Sequence, residues 1–443
     1  MSSSESATET PPPPATVYSQ EQHGLTRSGI DEDARKIVFR LQRSGFKAYV
    51  VGGGVRDLLI GKTPKDFDIS TDATPREIKS LFRNCRIIGR RFKLAHIFYG
   101  NGKTIEVSTF RDSVEWQEST DAEGNEVAPP TSDNVYGTEA TDAFRRDLTI
   151  NGLFLDVSTM EIVDYVGGME DLKRGIVRVI GEPTSRFIED PVRMIRVVRH
   201  SARNGFQIER SCWQSIIENA SRLSTCSQVR VFDEIRKDLG SGCFLTIINL
   251  LAETGLLNEI LPELLENNGR LLSNESDFSR CLEILDDLVA NGEEVGQTPI
   301  LAILALFTMS DSLWLRDIIE SFDGPNEVQA RLGTTFTKLT VPKKERERIV
   351  ILLQQWLKVK YASKDSFKAG TFKRSSLLPE LITLLDTTVT SREDEFKIAQ
   401  LRSVERAPHE GHSNREQHPH PSGERVDGRA QQGSALRRRR RRN

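Results

Sequence analysis

Cysteine is scarce: Cys85, Cys212, Cys226, Cys243 and Cys281 are scattered through 443 residues, with no CxxC pair and no histidine at zinc-ligand spacing. That odd, dispersed set excludes a disulfide-stapled fold and a zinc module, and the thiols are expected to be reduced and mostly buried. Long apolar runs are absent too, none reaching the roughly 18 residues that a membrane span needs. The N-terminal MSSSESATETPPPPAT has no basic start followed by an apolar stretch, so no secretory signal is read and a cytoplasmic protein is expected. Strand signals nearly vanish beyond about Asp190, and no internal repeat period is detectable.

Hydrophobic residues make up 37% and charged residues 28%, the balance of a soluble globular chain with room for two or three domains. The net charge of −3 conceals an asymmetry. From Leu401 to Asn443 eleven arginines face five acids, so this end carries +6 and the remainder −9. The segment ends in ALRRRRRRN and has too few large apolar residues to fold alone. Arg437, Arg438, Arg439, Arg440, Arg441 and Arg442 suit a polyanion, most simply RNA, although such blocks are often only solvated ends. Residues 1–25 have the Ser/Thr/Pro composition of a disordered leader.

Between these ends the pattern is α+β, then helical. An amphipathic helix is predicted near Asp31–Ser44, followed by an apolar strand at 48–51, the Gly52-Gly53-Gly54 cluster and a short helix ending near Gly61. Thr74-Pro75-Arg76-Glu77 carries a capping box with proline at the first helical position. Strand segments follow at 87–89, 94–99 and 104–109, with Asn101-Gly102 as a hairpin turn. The polar stretch 115–134 reads as a loop. Helices are predicted at 191–204, 231–239, 243–253, 280–289, 299–307, 343–361 and 378–387.

Chemistry enters with KTPKDFDIST. Alternation along a strand puts Asp66 and Asp68 on one face while Phe67 and Ile69 enter the core. Ile105 and Val107 likewise leave Glu106 on the polar face, so neighbouring strands would bring three carboxylates together, a costly cluster unless a divalent cation such as Mg2+ neutralises it. An exposed acidic sheet face reads the same from DxD alone. The glycine cluster before a helix start, followed by Arg56 and Asp57, presents bare N–H groups that attract phosphate. It fits neither GxGxxG nor GxxxxGK[ST], so a plain tight turn is the alternative and a dinucleotide-binding oxidoreductase is disfavoured. Arg145, Arg146, Asp147 and Asn151 cluster cations, an acid and an amide. Asp190 reads as an N-cap before Pro191, with Arg193, Arg196, Arg199 and Arg203 near one helical face.

Taken in order, VVGGGVRDLLIGKTPKDFDISTDATP, IIGRRFKLAH, IEVSTFR, RRDLTINGLF, VDYVGGMEDLKRG and EDPVRMIRVVR resemble the class II nucleotidyltransferase family of bacterial poly(A) polymerases and CCA-adding tRNA nucleotidyltransferases. The likeness covers about Ala48 to Gln207 and continues more weakly through VFDEIRKDL and LLAETGLLNEILPEL. It implies an α+β fold: a nucleotidyltransferase-type head with a small mixed sheet over 26–166, an all-α neck over 167–230 that binds nucleotide and RNA, a helical RNA-binding body over 231–398 and a disordered Arg-rich tail over 399–443. It also implies that Asp66, Asp68 and Glu106 hold two Mg2+ ions, or Mn2+ in their place, where ATP meets an RNA 3′-hydroxyl and pyrophosphate departs. By the same resemblance Gly53, Gly54 and Arg56, with Asp57 beside them, cradle the triphosphate. Arg146 and Asn151 hold ribose and phosphates, with Asp147 beside the catalytic acids. Asp190 and Arg193 match the base-reading pair, with Arg196 and Arg199 on the same helix.

Within the family, IIGRRFKLAH and Asp133-Asn134-Val135-Tyr136-Gly137 look like the poly(A) polymerases, and a polycationic tail suits generic RNA ends. The expected activity is template-independent addition of AMP to RNA 3′ ends, a polyadenylation that promotes mRNA turnover. A CCA-adding enzyme is the first alternative and a non-catalytic RNA-binding protein the second. Leu148 stands where the family usually has Phe, Gly152 where it has Ala or Ser, and His200 where an aromatic is usual. The stretch from about Asn267 to Thr340 matches poorly.

Overall fold

The computed structural model describes residues 14–89, 93–112, 135–265, 270–273, 276–309, 312–333 and 335–406. The loop expected at 115–134 and the arginines at 437–442 lie outside these residues. In chain order the first half runs β1 (Thr16–Tyr18), α1 (Gln20–His23), α2 (Glu32–Arg43), β2 (Ala48–Val51), α3 (Gly53–Leu59), β3 (Asp68–Thr71), α4 (Pro75–Leu81), β4 (Cys85–Ile88), β5 (Leu94–Phe98), β6 (Thr104–Thr109), α5 (Glu139–Arg145), β7 (Leu153–Leu155), β8 (Ile162–Asp164), α6 (Gly168–Arg174) and β9 (Ile176–Val177). There follow α7 (Pro183–Glu189), α8 (Val192–Asn204), β10 (Gln207–Ile208), α9 (Arg210–Asn219) and α10 (Gln228–Asp238).

Local chemistry sets these boundaries. Asp31 Oδ1 accepts from the N–H groups of Asp33 and Ala34 and so starts α2, which buries Ala34, Ile37, Val38 and Leu41 along one stripe. Helix α4 begins as its sequence indicates, with Glu77 Oε2 accepting from Thr74 N at 2.7 Å and Pro75 at the first position. Residues 14–25 correct the leader reading. Thr16-Val17-Tyr18 are strand-forming types, and they pair antiparallel with β8 at the sheet edge, Val17 opposite Val163. His23 Nε2 lies 2.9 Å from Met160 O and anchors the turn that follows.

Eight strands form one sheet in the order β1-β8-β7-β2-β3-β6-β5-β4. The β3–β6 pair is parallel and the other pairs are antiparallel. One face carries the larger apolar layer, where Val50, Ile69 and Val107 meet Ile37, Val38 and Leu41 of α2. The opposite face is covered by a small cluster of Val51, Phe110, Ala143 and Phe154. Side chains alternate along a strand. Asp68, Ser70, Glu106 and Ser108 therefore fall on the thinly covered face, where a polar site can open.

From Phe244 onward the described chain is helical. Helices at Phe244–Glu253, Asp277–Ala290, Gln297–Thr308, Lys343–Tyr361 and Leu378–Thr387 lie within three residues of the limits that periodicity gives. One apolar cluster runs from Leu148 and Ile150 beneath the sheet domain through α8 and α10 to Leu401. Leu401 belongs to a helix, Arg392–Arg406, and is fully buried. Its single apolar face was hidden by the arginine-rich composition around it, so the tail begins later than residue 399. No helix among the described residues is long and apolar enough to cross a membrane. All five cysteines are free, with Cys85, Cys212 and Cys281 buried.

Candidate active site

The parallel pairing of β3 with β6 matches Ile69 to Val107, so Asp68 and Glu106 stand level on the thinly covered face. Asp66 precedes the strand rather than forming part of it. Its backbone is met closely by α3, for a Cβ added at Gly54 would sit 3.1 Å from Asp66 O and 3.2 Å from the Phe67 ring. The role of Gly54 is thus to let helix and chain approach. Asp66, Asp68 and Glu106 line one cavity of about 640 Å³. Asp68 is exposed to the cleft, whose walls thin its solvation, and the charges of Asp66 and Glu106 add to that effect. Together they push its pKa up to about 6 against the pull of Arg146. Three hard oxygen donors whose repulsion raises a pKa are a set that fits a divalent cation such as Mg2+. Glu106 leans toward its cross-strand partner His96, whose Nε2 lies 3.0 Å from Oε1. In this arrangement no three acidic, histidine or cysteine side chains among the described residues close around one point.

Asp68 is shared with two further cavities, of about 820 and 360 Å³, whose walls carry Arg145, Arg146, Arg193 and Arg196. Arg146 Nη2 donates to Asp142 Oδ2 at 2.9 Å and to Ser70 Oγ at 3.0 Å, and its guanidinium lies 5.1 Å from the Phe154 ring centroid. Gly52, at φ +72°, is the position that requires glycine, and a Cβ there would lie 3.5 Å from Arg146 Nη1 and 3.7 Å from Asp68 Oδ2. Gly52 and Gly53 so present bare backbone to the smaller cavity.

Asp147 lies at the wall of that cavity. Its Oδ1 accepts from Leu148 N at 2.8 Å and from Asn151 Nδ2 at 3.2 Å, while Oδ2 is 3.8 Å from Arg196 Nη1. Burial alone would raise its pKa, but the neighbouring His200, the Asn151 bond, the Arg196 charge and the Leu148 N–H hold it low. Arg56 and Asp57 differ from expectation. Arg56 is 9% exposed and donates to Asn151 Oδ1 at 2.7 Å and to Asp57 Oδ1 at 2.9 Å from Nε. Its Nη1 is also 3.3 Å from His200 Nδ1. Burial and the Arg56 charge push His200 down to about 3, so the ring is neutral and accepts from the arginine. Arg56 and Asp57 are thereby committed to each other and to Asn151, and they support the cavity instead of facing it.

The end of α7 and the start of α8 form the opposite wall. Asp190 is the link between the two helices rather than a side-chain N-cap, and its Oδ1 accepts from Arg230 Nη2 at 2.8 Å. Arg193 Nη1 donates to Arg186 O and Glu189 Oε2 at 2.9 and 2.8 Å. Arg196 bridges Asp147 and Glu234. Arg199 must be withdrawn from the nucleotide-facing set, because it is buried with Asp238 at 2.6 Å and Glu234 at 2.7 Å. Sequence reasoning missed Asp142, Glu189 and Arg230. Asp142 had a signal, since it stands four residues before Arg146 as a helical ion pair does. For Arg230, forty residues from Asp190, no local pattern exists.

Residues 48–178 match the family model of the poly A polymerase head domain, and residues 205–267 match that of a probable RNA- and SrmB-binding site of polymerase A. Poly(A) polymerase I of Escherichia coli O6:H1 is 44% identical over 252 residues, which is 56% of this chain and 54% of that protein. The chain thus spans little more than half the length of this relative. Poly(A) polymerase I of Haemophilus influenzae is 38% identical over 308 residues, 69% of this chain and 67% of its own length. The CCA-adding enzyme of Geobacillus stearothermophilus is 36% identical over 233 residues, covering 53% and 55%. The fold is shared with the crystal structure of the Bacillus stearothermophilus CCA-adding enzyme in complex with CTP, over 84% of this chain and 81% of that one, at a TM-score of 0.54 and 24% identity. With the paired acids, the glycine turn and the arginine wall in one cleft, the chain belongs to the family of bacterial poly(A) polymerases and CCA-adding tRNA nucleotidyltransferases.

Proposed function

We propose that the protein is a template-independent polynucleotide adenylyltransferase that adds AMP from ATP to RNA 3′ ends and releases pyrophosphate. The observation that carries this reading is the meeting of opposite charges at Asp68, where the acidic cavity of Asp66 and Glu106 adjoins the cavities lined by Arg146, Arg193 and Arg196. Bound Mg2+ or Mn2+ would supply the charge that activates a hydroxyl and neutralises departing pyrophosphate. Asp66, Asp68 and Glu106 are the residues that would hold the ions. Arg146 and Arg196 counter the triphosphate charge, and the bare backbone of Gly52 and Gly53 lets it approach closely. Asp147, fixed by Asn151, keeps an anionic oxygen available to the ribose. Asp190 and Arg193 face the base, each already oriented by Arg230 or Glu189. A head over 26–166, a neck over 167–230 and a body over 231–398 form part of the same proposal, as does action in the cytoplasm on mRNA.

Greater identity to the poly(A) polymerases than to the CCA-adding enzyme favours polyadenylation, and the terminal arginines suit RNA of any sequence. Incubation with Mg2+, RNA and each triphosphate separately tests it. Long tails from ATP are expected, whereas C-C-A addition confined to tRNA overturns the assignment. Asp66→Ala is expected to abolish addition with RNA affinity retained. A wild-type chain that binds RNA and adds nothing is instead a non-catalytic RNA-binding protein.

A further inference from the structure

The cavities that meet at Asp68 differ in kind. The two on the α8 side carry Arg145, Arg146, Arg193 and Arg196 among carboxylates such as Asp190, and the larger also reaches Glu106. The third is walled by Asp66, Asp68 and Glu106 together with Phe67, His96 and Lys237. In-line displacement at phosphorus places the attacking and leaving oxygens on opposite sides of the reacting atom. If the arginine side takes the triphosphate, the nucleophile must arrive from the acidic side. Ions held by the carboxylates would neutralise them at the reacting end, but the phosphate that precedes the terminal nucleotide lies a sugar away and needs a cation of its own. Among the described residues lining this cavity, Lys237 is the lysine or arginine.

Lys237 is on the last turn of α10, with its side chain 54% exposed and Nζ 3.0 Å from Glu234 Oε1. Glu234 does not depend on it. Arg196 Nη2 and Arg199 Nη1 contact the same carboxylate at 2.9 and 2.7 Å, so Lys237 can turn to a new anion without stranding a buried charge. Phe67, half-buried in the same wall, offers an aromatic surface to a base or sugar. At about 640 Å³ the cavity is within the size range of sites that enclose a small ligand.

With the terminal hydroxyl of the RNA at the carboxylates, we propose that Lys237 binds the internucleotide phosphate that precedes the 3′-terminal nucleotide, so that the end of α10 positions the incoming strand. The inference rests on the adenylyltransferase reading and adds the place where RNA enters. It separates two routes to one centre, ATP from the arginine side and RNA from beneath the end of α10.

The test uses the full chain and a short oligoadenylate carrying a photoreactive 3′-terminal nucleotide, irradiated without ATP. Adducts are expected on peptides of 228–238 or 94–106, and adducts confined to peptides around Arg145 and Arg193 overturn the proposal. In parallel, Lys237→Gln is expected to raise KM for the oligonucleotide roughly tenfold and to flatten its salt dependence by about one charge. KM for ATP should stay within about twofold, and Lys237→Arg should restore the RNA term. Equal change in both KM values, or no change in either, overturns it. Crosslinking does not need turnover. A wild-type chain that crosslinks as expected yet adds no AMP contradicts the assigned activity while leaving the RNA site standing.

Discussion

Arg199 and Asp238 form a buried ion pair across α8 and α10, Nε to Oδ1 at 2.6 Å, with the Asp238 side chain fully enclosed. Glu234 completes the group through Arg199 Nη1. Breaking such a pair from one side leaves charges without partners in a poor solvent. Arg199→Ala is expected to cost about 3–5 kcal/mol in a urea titration. A loss below about 1 kcal/mol would show that the two helices are held by their apolar contacts alone.

The same group sets a response to acid. Burial would raise the pKa of Glu234, but Arg196 and Arg199 overcome it and bring the group down to about 2. A depressed folded-state pKa contributes stability that is complete above the unfolded value, roughly 4.3, and is lost as pH falls toward 2. The stability difference between wild type and Glu234→Gln should therefore be constant from pH 6 to 8 and shrink between about pH 4.5 and 2. A difference that grows on acidification contradicts the pairing.

Asp68 carries the opposite sign. Its pKa is raised to about 6, first by loss of solvent and then by Asp66 and Glu106. Stability from this group is complete below its unfolded pKa and is lost as pH rises through 6. Asp68→Asn should lower AMP addition by at least about 100-fold. Its denaturation midpoint at pH 7.5 should equal or exceed that of wild type, and the gain should vanish near pH 4. A destabilised Asn variant at neutral pH would mean that the carboxylate is structural.

Asp142 holds Arg146 against Ser70, at 2.9 and 3.0 Å from Nη2. Asp142→Asn removes the charge from that bond, and KM for ATP is expected to rise roughly tenfold while oligonucleotide affinity stays within about twofold. Steady-state kinetics with each substrate varied in turn decides the matter. An effect on both substrates alike would place Asp142 in general folding.

For the arginine tail, removal of Ala435–Asn443 should weaken RNA binding and reduce the slope of affinity against salt concentration. Titrations at several ionic strengths read both. If neither changes, those arginines do not touch RNA.

What could be read in advance was local. Alternation around Ile69 and Val107 located Asp68 and Glu106, and spacing alone located Thr74 and Glu77. Where pairing partners are distant, the same reasoning failed. Arg196 and Arg199 sit three apart on one helix and look alike. They separate because Glu234 and Asp238, more than thirty residues on, enclose one and leave the other at the cavity. The resemblance alone places Arg56 at the triphosphate, and only the fold brings Asn151 and His200 to it. Composition misjudged Thr16–Tyr18 for a related reason, since three residues become a strand only when β8 is there to receive them.

The sheet's borders have a consequence for how partners are met. One border is β1, three residues long, and the other is β4, four residues long with Arg86 in its middle. Neither offers an extended row of open amides and carbonyls to a foreign peptide, so lateral zippering onto this domain is discouraged. Among the described strands, then, the sheet refuses an added β-partner, whatever other surfaces of the protein engage.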